Sequence, residues 1–208
     1  MALNYEGLKI EWLGHACFKV SNSKKIYFDP FKLSVSEKAD IILITHEHFD
    51  HCSPEDIEKI VKSDTIIFAS RQCRALAGKG WKVVYMRPGE KERVEGITIE
   101  AVPAYNTNKH FHPKEDEKLG YVVTFEGKRI YHAGDTDLIP EMSSLKAIDI
   151  ALLPVGGTYT MNAEEASEAV SIIKPKVAIP AHYGTIVGSR KDAEKFKLLV
   201  KSAEVYFG

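Results

Sequence analysis

Three histidines and two acidic residues crowd into residues 45–51 of this sequence, which read THEHFDH. Imidazole nitrogens and carboxylate oxygens are ligands of zinc and its first-row neighbours, at about 2.0–2.2 Å from the ion. His46 and His48 stand two residues apart, so one tight loop can direct both of them at a single ion. Asp50 and His51 can then serve a second ion, since paired metals lie about 3.5–4 Å apart. The stretch therefore predicts a centre with one or two metal ions.

The residues around this stretch predict that it is a loop at the end of a strand. Residues 41–44 (IILI) form a short apolar run that is typical of a buried strand. Ser53 and Pro54 are a usual helix start, in which the serine caps and the proline opens the first turn. Candidate ligands are therefore expected at the carboxyl end of a strand, where functional residues gather in α/β proteins.

Three further candidate ligands also follow apolar runs. Asp29, Asp135 and His182 each come within three residues of the end of a predicted strand. An aspartate after a strand is more often a turn residue or a helix cap than a ligand. Polar residues at the ends of separate strands can nevertheless converge on one rim of a protein, and the histidine-rich stretch needs such partners. We therefore predict Asp135 and His182 as additional metal ligands.

The composition is that of an ordinary globular protein of 208 residues, with 44% apolar and 27% charged residues. It predicts one domain, with room for two similar halves, and a core that needs no disulfide bonds. The formal net charge of −1 gives no broad attraction to nucleic acid or to an anionic membrane. The expected partner is therefore a small-molecule substrate, and nothing in these numbers indicates the oligomeric state.

The cysteines and the N-terminus predict a cytoplasmic protein. Cys17, Cys52 and Cys73 lie in unrelated contexts without a C-x-x-C motif, which is typical of reduced thiols. Cys52 follows the histidine-rich stretch, and we interpret it as a buried neighbour of the site. Residues 1–9 lack the apolar segment of a signal peptide, and no apolar run approaches the roughly 18 residues of a membrane span.

Strand-like runs recur along both halves of the chain and outnumber the helical patterns. Strands are predicted at 8–13, 17–20, 26–28, 41–44, 66–68, 83–85, 97–102, 121–125, 130–132, 150–153, 177–179 and 205–207. Helices are predicted at about 54–62, 71–78, 163–173 and 190–202, with Asn162 as the cap of the third. This order predicts an α/β fold in which two sheets pack face to face with helices outside. The polar residues 106–118 predict a long functional loop.

Taken in order, these motifs resemble the metallo-β-lactamase-fold superfamily. H-x-H-x-D-H after a buried strand is followed there, as here, by residues 134–136 (GDT) and residues 180–184 (PAHYG). Residues 12–16 (WLGHA) and 29–31 (DPF) are similar to a branch of small metal-dependent hydrolases. That branch is related to ascorbate-6-phosphate lactonase and N-acyl-phosphatidylethanolamine phospholipase D type enzymes. The resemblance runs through nearly the whole chain and implies one domain over 1–208, an αββα four-layer sandwich.

The resemblance also implies which residue binds which metal. In the implied arrangement, His46 and His48 hold the first metal, Asp50, His51 and His182 hold the second, and Asp135 bridges the two. Asp29 would accept hydrogen bonds that steady the ligand loop. Zn²⁺ is the expected cofactor, at one or two ions per chain, and Mn²⁺, Fe or Ni are the alternatives.

One expected ligand is missing from the pattern. The superfamily places a third histidine for the first metal after the strand that corresponds to residues 97–103, where this chain has Asn106. His110 and His112 follow a few residues later. We favour His112 as the replacement, because Pro113 restricts the backbone next to it. His110, a weakly bound Asn106, or one ligand fewer are the alternatives, and the last would leave a weak or vacant first site.

Several further residues have a functional and a structural interpretation. His15 would be a proton donor at the edge of the site or a turn residue, and Tyr183 would face the substrate or pack as a core aromatic. His132 would support a ligand or bind metal itself. Residues 156–160 (GGTYT) would receive an anion on their backbone amides or form a tight turn.

The implied activity is hydrolysis by a metal-activated water, on a small ester, lactone or phosphoester. Asp50 would orient the attacking hydroxide, and His15, Tyr183 or the loop lysines Lys109 and Lys114 would stabilise the developing charge. A nuclease is disfavoured by the net charge of −1 and the absence of an added clamp domain. A di-iron redox protein is disfavoured because His48 stands where those proteins carry a carboxylate. A non-catalytic metal-binding protein remains the third alternative.

Overall fold

The computed structural model describes residues 2–34 and 37–207 of the chain. The chain divides into two compact units, Met1–Arg87 and Pro88–Gly208. Each unit is built around one sheet, and each sheet has seven strands in the described residues. The two units follow one plan, with four antiparallel strands that lead into three parallel ones, as the predicted repetition of strand patterns implied.

The first unit has its helix between the fifth and sixth strands. The strands are β1 (Ala2–Tyr5), β2 (Leu8–Gly14), β3 (Cys17–Ser21), β4 (Lys25–Phe28), β5 (Ile41–Ile44), β6 (Ile66–Ser70) and β7 (Lys82–Met86), and the helix is α1 (Pro54–Ile60). Each strand pairs with its sequence neighbours. β5 and β6 are parallel, so the chain must cross over between them, and α1 lies in that crossover.

The core of the first unit forms around β5 and α1. All four residues of β5 are buried, as is usual for a parallel strand with a continuous apolar sequence. Ile57 and Ile60 of α1 belong to the same buried cluster as Ile42 and Ile44 of β5. Burying each of these side chains contributes about 1.5–3 kcal/mol relative to leaving it in water. Strand and helix are thus anchored on either side of the histidine-rich loop.

The second unit repeats the plan with two helices among its described residues. Its strands are β8 (Lys91–Val94), β9 (Ile97–Pro103), β10 (Leu119–Phe125), β11 (Lys128–His132), β12 (Ile150–Pro154), β13 (Val177–Ala181) and β14 (Glu204–Val205), and its helices are α2 (Ala163–Ile173) and α3 (Arg190–Leu199). β8 to β11 pair antiparallel, and β11 to β14 pair parallel. The carboxyl ends of β11, β12 and β13 therefore lie at one edge of the sheet.

The predicted cap of α2 is confirmed. Asn162 Oδ1 accepts a hydrogen bond of 2.9 Å from the Glu165 amide, and Glu165 Oε2 accepts one of 2.9 Å from the Asn162 amide. This reciprocal pair is a capping box, which satisfies two amides that would otherwise lack partners at the helix start. None of the helices in the described part of the chain is long and apolar enough to cross a membrane.

One predicted helix is wrong, and two strands were missed. Residues 71–78 form only a 3-10 turn over Arg74–Leu76, because Ala77 is extended and Gly78 has a φ of +74°. So short a segment cannot offset the cost of helix nucleation. The missed strands β1 and β8 each form one of the two edges of their sheet, and their exposed residues carry no apolar pattern from which to predict a strand. The long loop at 106–118 is confirmed, apart from a 3-10 turn over Lys114–Asp116.

Candidate metal centre

The histidine-rich stretch of the first unit folds as a tight loop between β5 and α1. The amides of His51 and Cys52 both donate to the carbonyl of His48, at 3.0 and 2.8 Å, so the chain turns back on itself at His48. This turn brings the imidazoles of His46, His48 and His51 together. His46 and His51 have ring centroids 4.1 Å apart, and His46 Nε2 lies 3.0 Å from His48 Nδ1.

Asp29 supports this loop from the end of β4. Its Oδ1 accepts from the Thr45 amide at 2.8 Å, and its Oδ2 accepts from Thr45 Oγ1 at 2.7 Å and from His51 Nδ1 at 2.8 Å. The Thr45 hydroxyl donates its hydrogen to Asp29. Thr45 Oγ1 can therefore only accept from His46 Nδ1, which lies 3.0 Å away. Both histidines therefore carry their proton on Nδ1, and Nε2 is the nitrogen with a lone pair. Asp29 thus has the supporting position that the resemblance implied.

His15 and Asp50 form a second contact in the first unit. His15 Nε2 donates to Asp50 Oδ2 at 2.8 Å, and the same oxygen lies 3.7 Å from His51 Nε2. His15 follows β2 in the turn to β3, with a φ of +52°, and Trp12 Nε1 donates to its carbonyl at 2.8 Å to close that turn. The turn therefore holds a buried histidine against the carboxylate that we predicted to orient hydroxide.

The candidate ligands of the second unit meet at Asp135. Asp135 Oδ2 lies 3.1 Å from His182 Nε2 and 3.5 Å from His112 Nε2. All three side chains are buried. Asp135 and His182 follow β11 and β13, whose carboxyl ends share one edge of the sheet, and His112 comes from the long loop after β9. The second unit therefore brings three of the predicted ligands together.

Of the candidate ligands in the long loop at 106–118, His112 is the one that lies beside Asp135. His110 is exposed, whereas His112 is 1% exposed. The Nδ1 of His112 lies 3.1 Å from Asn106 Oδ1 and 3.2 Å from the Tyr159 carbonyl. Both of those atoms only accept hydrogen bonds, so Nδ1 carries the proton and Nε2 presents its lone pair toward Asp135. Asn106 therefore orients the histidine that follows it in the loop.

Sequence reasoning missed Asp137, which organises the same loop. Its carboxylate is 1% exposed and accepts from Asn106 Nδ2 at 3.1 Å, from the Thr107 amide at 2.8 Å and from Lys109 Nζ. The signal available in the sequence was a second aspartate two residues after Asp135. A buried carboxylate that accepts from this many donors usually has a structural or functional role.

The loop lysines are already engaged by carboxylates. Lys109 pairs with Asp137, and Lys114 Nζ lies 2.8 Å from Glu141 Oε1 and 4.5 Å from the centre of the Tyr105 ring. The hydrogen bond that Lys114 donates to Glu141 raises the pKa of Lys114. Stabilisation of developing charge by these two lysines is therefore disfavoured relative to His15 or Tyr183.

Tyr183 and His132 are both buried beside the ligand strands. Burial raises the pKa of the Tyr183 hydroxyl, so this side chain keeps its proton at neutral pH and can donate a hydrogen bond there. His132 Nδ1 accepts from the Gly134 amide at 3.2 Å, within the turn that leads to Asp135. That contact supports the turn, and the roles of both residues in turnover stay predictions.

The glycines after β12 serve close packing. The amides of Gly157 and Thr158 donate to carbonyls within the turn itself, at 3.1 Å each, so they are engaged within it. A Cβ on Gly156 would lie 2.4 Å from the carbonyl oxygen of His182, a distance that no side chain can occupy. Gly156 therefore lets the chain approach a candidate ligand, and the structural interpretation of residues 156–160 is the better supported one.

The donor set in each unit fits a divalent transition metal. In the first unit, the nitrogens of His46 and His48 lie 3.0 Å apart, close to the roughly 3.3 Å that separates two nitrogens bound tetrahedrally to one zinc at 2.0 Å. In the second unit, two buried imidazoles face one buried carboxylate oxygen. Buried charged groups are generally paired or bound to metal. Imidazole and carboxylate together suit zinc, manganese, iron or nickel.

Comparison with known proteins assigns the chain to a family. The model of the beta-lactamase superfamily domain matches residues 9–182. A UPF0173 metal-dependent hydrolase of Thermoplasma acidophilum is 39% identical, over 97% of this chain and 94% of that protein. The chain belongs to the UPF0173 metal-dependent hydrolases of the beta-lactamase superfamily.

Solved structures support this membership. A candidate metal-dependent hydrolase from Parabacteroides distasonis is 37% identical with a TM-score of 0.85, over 99% of this chain and 96% of that one. A candidate zinc-dependent hydrolase of the metallo-β-lactamase superfamily from Thermotoga maritima is 28% identical with a TM-score of 0.64, over 94% and 87%. The predicted fold class, α/β with two mixed sheets of the metallo-β-lactamase fold, and the predicted hydrolase class are confirmed for this UPF0173 protein.

Proposed function

We propose that this UPF0173 hydrolase cleaves a small ester or lactone with a metal-activated water. The observation that carries the proposal is the position of Asp50. Its Oδ2 accepts a hydrogen bond from His15 and lies 3.7 Å from the nitrogen of His51 that we expect to bind metal. A carboxylate next to both a proton-bearing imidazole and a candidate ligand is well placed to handle the proton of an attacking water.

We propose the ligand set that the sequence predicted. The first metal would be held by His46, His48 and His112, the second by Asp50, His51 and His182, and Asp135 would bridge them. The protonation of Nδ1 in His46, His51 and His112 supports this set, because it leaves Nε2 to bind in each case. We propose zinc as the metal, because imidazole and carboxylate are its usual ligands at catalytic sites.

Asp50, His15 and Tyr183 would each have a separate role in the reaction. When bound, the metal supplies Lewis acidity and makes hydroxide available at neutral pH. Asp50 accepts the proton of the attacking water, and the hydrogen bond from His15 holds that carboxylate in place. The new bond joins the water oxygen to the acyl carbon, the bond to the leaving alcohol breaks, and the abstracted proton returns to the alcohol oxygen. The Tyr183 hydroxyl, which keeps its proton, would donate to the developing oxyanion.

An apolar surface beside His15 favours an ester or lactone over a phosphoester. Phe49, between His48 and Asp50 in sequence, is 70% exposed, and its ring centroid lies 5.9 Å from that of Phe31. Phe31 in turn lies 5.9 Å from His15. These two aromatic rings are suited to an apolar acyl group, and Lys32 Nζ, 5.1 Å from the centre of the Phe31 ring, makes a cation–π contact there. The three buried free thiols further support the cytoplasmic location that we propose for this protein.

Removing either a ligand or the bridge should abolish metal binding and turnover together. His51→Ala and Asp135→Ala are expected to lose bound zinc, as measured by elemental analysis, and all hydrolysis of a panel of esters, lactones and phosphodiesters. Asp64→Asn, at an exposed position, is the matched control and should retain both. Full metal content in Asp135→Ala would rule out the proposed ligand set. Metal binding without turnover on any substrate would favour a non-catalytic protein, and cleavage of single-stranded RNA would favour a nuclease.

A further inference from the structure

The loop that carries His112 is closed by its own hydrogen bonds. The Asn106 amide donates to the His112 carbonyl at 2.7 Å, and the His112 amide donates to Asn106 Oδ1 at 3.0 Å. The ends of the segment 106–112 are thus joined by one backbone contact and one side-chain contact of Asn106. Phe111 of this segment also packs its ring 4.6 Å from the ring of Tyr159. The side chain of Asn106 adds the polar contacts that fix the orientation of His112.

The amide group of Asn106 has one possible orientation. Its Oδ1 accepts from the backbone amide and the Nδ1 of His112, and its Nδ2 donates to the Tyr159 carbonyl at 2.9 Å and to Asp137 Oδ1 at 3.1 Å. A flipped amide would set its NH₂ group against a backbone donor and its oxygen against a carbonyl and a carboxylate. The surroundings of Asn106 thus fix its carbonyl toward His112.

Asp137 connects this amide to the body of the unit. Besides Asn106, its carboxylate accepts from the amide and hydroxyl of Thr107, at 2.8 and 3.3 Å, and from Lys109 Nζ. Its own amide donates to the Tyr105 carbonyl at 2.9 Å, next to the end of β9. One buried carboxylate therefore holds three loop residues, of which Asn106 is the one in contact with His112.

We infer that Asp137 is a positioning residue, which acts through Asn106 to set the orientation of His112. Its carboxylate holds the NH₂ group of Asn106, so the carbonyl of that amide stays toward the backbone amide and Nδ1 of His112, and Nε2 of His112 is held facing Asp135. Asp29 supports His51 by direct contact, whereas Asp137 supports His112 through one intervening amide. The inference rests on the proposed function insofar as Nε2 of His112 is taken as a metal ligand.

Asp137→Asn tests this inference without changing the size of the side chain. The variant sets an NH₂ group against donors of the loop, so we expect zinc affinity at one of the two sites to fall about 10–100-fold. The other site should be unchanged, as zinc titration by calorimetry would show. Glu115→Gln makes the same acid-to-amide change at an exposed position of the same loop, so it is the matched control and should change affinity less than threefold.

A double variant separates positioning from a general loss of structure. In an N106A background the intervening amide is absent, so adding D137N should cost little further zinc affinity, well below the loss that D137N causes in the wild type. An equally large loss in both backgrounds, or unchanged zinc affinity in D137N, would overturn the inference.

The backbone amide of His112 gives a readout that needs no metal, because it donates to Asn106 Oδ1. Hydrogen exchange of this amide in the metal-free protein should be about tenfold faster in D137N than in the wild type. An unchanged exchange rate would contradict the inference. Failure of the wild type to bind zinc would instead reject the proposed function, and the exchange measurement would still decide the role of Asp137.

Discussion

At the scale of single residues, the hydrogen bonds that support the candidate ligands explain which nitrogen each of these histidines offers to a metal. The residue types alone do not. Imidazole can bind metal through either nitrogen, and a hydrogen bond to the other nitrogen selects which one. Asp29 makes that selection for His51, and Asn106 makes it for His112. His15 differs from both, because its Nε2 donates to Asp50. We therefore propose that His15 positions Asp50 and lies outside the proposed ligand set.

The distinction between His15 and the ligands leads to a test at the same scale. His15→Gln should keep the zinc content of the wild type and lower kcat by about 100-fold, since a positioned acid–base group contributes roughly 10²–10⁴. KM should change little. Elemental analysis together with steady-state kinetics on the best ester would check it. Loss of zinc from His15→Gln would make His15 a ligand instead.

At the scale of elements, one aspartate ties together the starts of three strands in the second unit. Asp149 precedes β12, and its carboxylate accepts from the Arg129 amide of β11 at 2.8 Å. Its carbonyl accepts from the Val177 amide at the start of β13 at 2.9 Å, and Lys176 Nζ lies 2.9 Å from its Oδ1. Burial acts to raise the pKa of Asp149, but the Arg129 amide and the Lys176 ammonium outweigh it and hold the pKa below its usual value.

This lowered pKa predicts how stability depends on pH. The ionised carboxylate of Asp149 stabilises the fold above the unfolded-state pKa of about 4, and the contribution is lost as pH falls through the lower folded-state pKa. Asp149→Asn should therefore lower the free energy of unfolding by about 1–2 kcal/mol at pH 7. The difference from the wild type should shrink toward zero near pH 2. Urea denaturation at both pH values would check it, and an equal loss at both would contradict the assignment.

At the scale of the whole molecule, the proposed ligands come from residues 46 to 182, so metal binding requires the folded chain. A ligand that binds only the folded state stabilises it by about 2.7 kcal/mol at 100 times its Kd. We expect zinc to raise the Tm of the wild type by several degrees and a chelator to reverse the change. His51→Ala should show a much smaller shift in a thermal melt. An equal shift in both proteins would place the zinc elsewhere.

The order of the motifs was enough to predict the fold class, because each motif follows a buried strand and the apolar runs alternate with the expected turn and cap residues. Most strands and the cap of α2 were therefore predicted from local patterns alone. The helix at 71–78 and the edge strands β1 and β8 were not, because short and exposed elements depend on tertiary pairing more than on their own residues.

The residue types of the candidate site were readable in the sequence, since histidines and aspartates at metal-ligand spacing are rare by chance. Which of His110, His112 and Asn106 lies beside Asp135 was decided only by the tertiary structure. The same is true of Asp137 and of the protonated nitrogen of His46, His51 and His112. The physical reason is that these properties depend on hydrogen bonds of a few ångströms between residues as many as 53 positions apart, such as Asn106 and Tyr159. No local pattern in the chain specifies such contacts.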